Sequence, residues 1–200
     1  MSNKFDELTK SLAQAVKRRA ALKKFCVGLV GLALACAALV TGTKAQPTGL
    51  PPNAAALFGN IGGAFVITDA GAPGLFDVTA DAIGNGSVLG NFTDSAHLQA
   101  QFPPPGSPDP VLLNGQGTWT TSKGQSSIRL SFTGTATPDP DNQFVFNNLY
   151  QATITGGTGA FVGATGVAAF TEVVKFNADY SGGTASLVFK GYVVTPSSRH

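Results

Sequence analysis

Two carboxylates occupy positions where a carboxylate is costly. Phe170, Glu172, Val174 and Phe176 alternate along one predicted strand, and Phe92, Asp94, Ala96 and Leu98 along another, so each acid shares a face with apolar neighbours. In a sheet protein that face turns to the core, where an ionised carboxylate needs a partner or hydrogen bonds. Burial favours the protonated form, which suits a group that gives and takes a proton near neutral pH. Glu172 and Asp94 are therefore the candidate catalytic residues; a bulge turning either outward, or a place at a rim, is the non-catalytic alternative. Lys175 is out of phase with Glu172 and points away. A partner for Glu172 must come from another strand, with Asp94, Tyr150 and backbone amides as candidates.

Little else in the chain could do chemistry. His97 alternates with Asn91, Thr93, Ser95 and Gln99 on a polar strand face, which predicts a solvated side chain, and His200 is the last residue. A histidine-centred triad or metal site has nothing further to recruit, so no metal and no cofactor is expected. Both cysteines, Cys26 and Cys36, precede residue 45, which leaves the rest without a thiol nucleophile or an internal disulfide. Arg129 is out of phase with Ile128, Leu130 and Phe132 and is expected outside. Trp119, Phe144, Phe146 and Tyr150 read as core first and as a ligand platform second.

The run TITGGTGAFVGATG, residues 153–166, raises the question of a phosphate-cradling loop. A dinucleotide fingerprint needs G-x-G-x-x-G between a strand and a helix. Gly157, Gly159 and Gly163 give G-x-G-x-x-x-G instead, and VAAFTEVVKF, a strand pattern, follows Gly166. A P-loop needs Gly-Lys-Ser/Thr, and no lysine lies between Arg129 and Lys175. Gly157, Gly159, Gly163 and Gly166 are expected in or beside tight turns, with Phe161 as an apolar plug between them.

The elements that must position these residues lie in a chain of two unlike parts. Up to Ala45 there are eight Lys/Arg and two Asp/Glu; from Gln46 onward there are five and nine, so a basic leader precedes a mildly acidic domain. The five later cations are scattered, which excludes the basic stripe that nucleic acid requires. The leader has a basic region with Arg18-Arg19, an apolar run over 26–40, and Thr43 and Ala45 before a cleavage site after Ala45. Arg18-Arg19-Ala20-Ala21-Leu22-Lys23 resembles the bacterial twin-arginine signal, and implies export to the periplasm or beyond. Two alternatives stand beside cleavage. Residues 26–40 could anchor the chain in the inner membrane, although about 20 residues are the usual span, or Cys36 could be lipidated. Phe5, Leu8, Leu12 and Val16 recur at helical spacing, so 4–25 is expected to be helical.

Residues 46–58, small and punctuated by proline, read as linker, and 59–200 as one domain. Alternating runs predict strands at 64–68, 75–80, 88–101, 112–121, 126–137, 144–155, 167–178 and 184–194, with no helical pattern among them. The expected fold is an all-β barrel or sandwich. The proline-rich stretch FPPPGSPDP at 102–110 cannot ladder and is expected to be an exposed loop.

The run from Ile154 to Gly166 resembles the GGTGxFxGATG signature of exported bacterial proteins similar to allene oxide cyclase and dirigent barrels. Upstream, Gly86-Ser87-Val88-Leu89-Gly90-Asn91-Phe92-Thr93 matches GxxLGxFT, and Gly115-Gln116-Gly117-Thr118-Trp119-Thr120 matches GxGTWT. These motifs fall in order across most of 84–195. One departure is Ser122-Lys123-Gly124-Gln125, where the bacterial relatives often carry an Asn-Gly-Asp turn. The resemblance implies an eight-stranded antiparallel barrel, trimeric in many plant members, so a homo-oligomer is an option here. It does not imply cyclase activity, since one fold hosts many functions.

Two functions fit these residues. One is an exported, non-catalytic barrel of the envelope or periplasm that acts by binding or structurally, which needs only the leader, the core and an exposed surface. The other is a cyclase- or dirigent-like protein that guides an apolar small molecule inside the barrel. The second requires an open interior cavity holding Glu172 or Asp94; the residues favour the first, non-catalytic reading.

Overall fold

The computed structural model describes residues 50–196. The leader, with Arg18, Arg19, Cys36 and the Ala45 site, and His200 lie outside the described residues. Eight strands follow one another: β1 (Ala54–Asp69), β2 (Leu75–Gly86), β3 (Gly90–Gln101), β4 (Val111–Thr121), β5 (Ser127–Pro138), β6 (Val145–Thr158), β7 (Thr165–Phe176) and β8 (Gly182–Val194). Each pairs antiparallel with the next, and β1 pairs with β8 from Ala54↔Val194 to Val66↔Gly182, closing the barrel. Closure leaves no edge strand with unpaired backbone groups.

Alternation along every strand sends one set of side chains inward. Leu57, Ile61, Phe65 and Ile67 of β1, and Phe146, Asn148, Tyr150, Ala152 and Ile154 of β6, are all buried. Two strands extend further than the hydrophobic pattern predicts. The first begins at Ala54, within the stretch expected to be linker, and β2 runs on from Ala80 to Gly86. In both extensions small residues take inward positions, Gly59 and Gly63 beside Leu57 and Ile61 in β1 and Ala82 and Gly84 in β2, so large apolar side chains mark the alternation only in part. A Cβ at Gly84 would run into the ring of Phe92, so the aromatic side chain on β3 requires a glycine on β2.

The glycine run closes the turn between β6 and β7. Leu130 pairs with Ile154 and Arg129 with Gly156, which leaves Thr155 as an extra residue in β6. A single 3₁₀ turn at Gly159–Phe161 follows, and β7 starts at Thr165. Gly159 opens that turn at φ 57°, in the left-handed region, and Phe161, 5 % exposed, plugs the barrel beneath it. A three-residue turn leading into a strand is the arrangement expected of a sheet connection, and it lacks the helix that a dinucleotide site needs.

The up-and-down connectivity gives the barrel two distinct ends. The β2–β3, β4–β5 and β6–β7 connections lie at one, above the buried cluster of Leu57, Trp119, Ile128, Ile154 and Val193. There the Trp119 ring centroid lies 4.7 Å from Phe189, 5.2 Å from Phe92 and 5.8 Å from Phe170. The β1–β2, β3–β4, β5–β6 and β7–β8 loops surround the other end.

Candidate functional site

Glu172 does face the interior, opposite Asn148 in the β6–β7 register and two pairs away from Tyr150↔Phe170. This places two donors from β6 on one carboxylate oxygen. The Asn148 Nδ2 and Tyr150 hydroxyl groups both donate to Glu172 Oε2 at 2.8 Å, and Asn148 Nδ2 also donates to the Tyr150 oxygen at 3.1 Å. Burial raises the Glu172 pKa above its ordinary 4.5, and the bonds from Tyr150 and Asn148 pull it back in part. Tyr150 is pushed well above 10 by burial, by the charge on Glu172 and by donating to it. The trio holds one further feature. Asn148 is 6 % exposed, yet its Oδ1 has no hydrogen-bond partner.

Asp94 also turns inward, between Ala82 on β2 and Trp119 on β4. Its pKa rises from 3.8 to about 7, first through burial and then through the neighbouring charge of Glu172, while a hydrogen bond from the Trp119 side chain opposes the rise. The fold thus brings the two candidate acids within electrostatic reach of each other from opposite parts of the sequence. Of the candidate partners for Glu172, Tyr150 is the one that donates to it. Asn148 is one the sequence reading passed over, although its phase with Phe146 and Tyr150 marked it as an inward polar residue.

The other singled-out residues stay outside. Arg129 and Lys175 are exposed on the outer wall, as their phase requires. His97 is exposed too, with Nε2 3.8 Å from Asp77 Oδ1, on a polar outer saddle shared with Thr79, Asp81, Gln116 and Arg129. Among the described residues no group of three or more His, Cys, Asp or Glu side chains converges as metal ligands.

Glu172, Asn148 and Tyr150 border an interior cavity of about 80 Å³. Phe65, Phe76, Phe146 and Phe176 form much of its apolar wall, and Phe102 reaches it from the proline-rich loop. That loop differs from the fully exposed one expected, because Phe102 is partly buried and its ring packs edge-on against Phe76 at 5.4 Å. The cavity is well below the roughly 300 Å³ at which drug-sized sites begin. It has room only for a small group.

No protein-family model matches the chain, and no curated protein does. Among solved structures, two pterocarpan synthase dirigent proteins are similar to it. One is 16 % identical, with 70 % of this chain and 97 % of that one covered; the other is 17 % identical, with 76 % and 98 % covered; both have a TM-score of 0.40. These neighbours are dirigent proteins, the group that the glycine signature resembles. The closed barrel itself rests on this chain's own strand pairing.

Proposed function

We propose that this is an exported barrel protein that binds a small, largely apolar molecule in the interior cavity and steers its chemistry through Glu172. The observation that carries this reading is a carboxyl group with a raised pKa, held by Tyr150 and Asn148, on the wall of an otherwise apolar cavity. A side chain so placed can exchange a proton with a bound molecule where water is excluded. Dirigent proteins stand among the chain's structural neighbours, and the guiding role proposed here is of that type. The small cavity volume favours a second reading, in which the barrel only binds or only supports the envelope, and Glu172 is a structural acid.

Native mass spectrometry of the protein purified from the exporting cell separates the two. The guiding role expects a co-purified apolar molecule in wild type, and a Glu172→Gln variant that folds normally and fails to convert it. An empty barrel, or equal turnover in the variant, would remove the guiding role. Export rests on Arg18 and Arg19. Changing both to lysine should hold the protein in the cytoplasm, and continued passage through the twin-arginine route would refute that assignment.

A further inference from the structure

Among the described residues, the interior has no positive charge to match its acids. Glu172 borders the cavity and Asp94 lies within its electrostatic reach, while the described Lys and Arg side chains all sit outside the barrel wall. The loops around the cavity repeat the sign. Among the described residues, Asp69, Asp109, Asp139, Asp141 and Asp179 lie at that end, against Lys175 alone. The remaining described cations are toward the opposite end: Lys123 in the β4–β5 turn, Arg129 near the start of β5 and Lys190 near the end of β8. Clefts lined by one sign of charge between low-dielectric walls concentrate ions of the other sign.

A separate observation points to a donor. Asn148 Oδ1 is buried, lies on a residue that borders the cavity, and accepts nothing. The two bonds to Glu172 both fall on Oε2. A single ligand atom that served both the asparagine carbonyl and the carboxylate would bring at least two hydrogen-bond donors. A hydroxyl has one donor; an ammonium has three. The aromatic wall adds to the match, since phenyl faces attract a cation once it is desolvated.

On the reading that the cavity binds a small molecule, we infer that this molecule is a slim amphiphilic amine, its primary ammonium seated between Glu172 and Asn148 Oδ1 and its apolar body between the phenylalanines. The limited volume fits such a head. With the ammonium in place, Glu172 is ionised and paired.

Isothermal titration of the full-length protein with n-hexylamine, n-hexanol and n-hexanoate tests the inference, because the three probes share a tail and differ in head charge. The amine should bind with one-to-one stoichiometry and about tenfold or more tighter than the alcohol, and the carboxylate should not bind. Glu172→Gln should cost the amine about tenfold or more and leave the alcohol within about threefold. Alcohol binding equal to or tighter than the amine would overturn the ammonium assignment and leave the cavity reading intact. Amine binding unchanged in Glu172→Gln would place the amine on the acidic rim and also overturn it. If none of the three binds, the cavity reading falls together with this inference. Should Glu172→Gln fail to fold by circular dichroism, the wild-type order of the three probes still decides.

Discussion

At one end of the barrel Trp119 packs against Phe92, Phe170 and Phe189, and the turn residue Phe161 seals the cluster; at the other, Phe65, Phe76, Phe146 and Phe176 line a cavity that reaches Glu172. Both ends are made from the same eight strands and rich in aromatics, so composition does not separate them. Two things do. The filled end places its largest side chain among rings on three other strands, with glycines such as Gly84 leaving the necessary room. The cavity end sets Asn148, Tyr150 and Glu172 in positions where further apolar side chains would otherwise fill the space. A polar trio inside a barrel constrains the packing around it, because its members need each other's hydrogen bonds more than they need close apolar contact.

The largest break in this comparison should come from Trp119→Ala. It empties the most crowded part of the filled end and should cost about 3–5 kcal/mol in urea unfolding. A loss below about 1 kcal/mol would mean that the two ends are equally loose.

Asp94→Asn should act in the opposite direction and depend on pH. The folded-state pKa is raised from 3.8 to about 7. Across that range the folded protein holds more protons than the unfolded chain, so wild-type stability falls as pH climbs from about 4 to about 7 and then levels. Asparagine removes this fall. The variant should match wild type near pH 4 and gain about 2 kcal/mol at pH 8, less than the roughly 4 kcal/mol of the full shift because Asp94 is only partly enclosed. Thermal melts at the two pH values check it, and equal differences at both would contradict an interior acid.

Smaller effects sharpen the cavity end. Tyr150→Phe deletes a donor that lowers the Glu172 pKa, so the carboxyl should titrate at higher pH than in wild type, readable by carbon-detected NMR of the glutamate side chain. An unchanged titration would show that the hydroxyl does not hold the carboxylate in solution. Phe102→Ala should cost least, about 1 kcal/mol or less, since its ring covers the cavity from a loop and not from within the strand core. It should also quicken entry of a hexyl probe. A cost as large as that of Trp119→Ala would mean that the proline-rich loop is part of the core.

Much of this was legible before any coordinates. Alternation placed the strands, kept Arg129, Lys175 and His97 outside, and turned Glu172 and Asp94 inward, because a period of two commits each side chain to one face. The spacing of Gly157, Gly159 and Gly163 distinguished a sheet turn from a phosphate loop. Alternation weakened where inward residues are small, at Ala54–Gly63 and Ala80–Gly86, since a hydrophobic pattern has no signal for a glycine that faces a ring. Phe102 was hidden in a stretch whose prolines speak only of its backbone.

The sequence by itself thus determined the all-β class, the inward phase of the two acids and the contrast between a basic N-terminal stretch and a mildly acidic remainder, all of which depend on local periodicity and composition. Only the tertiary structure decided which residues meet. Asn148 and Glu172 are 24 positions apart and become neighbours through the β6–β7 register. Asp94 senses Glu172 because closure between β1 and β8 curls distant strands around one interior. The cavity, too, is a property of closure, since its volume is whatever eight converging faces leave unfilled. No single strand contains that information.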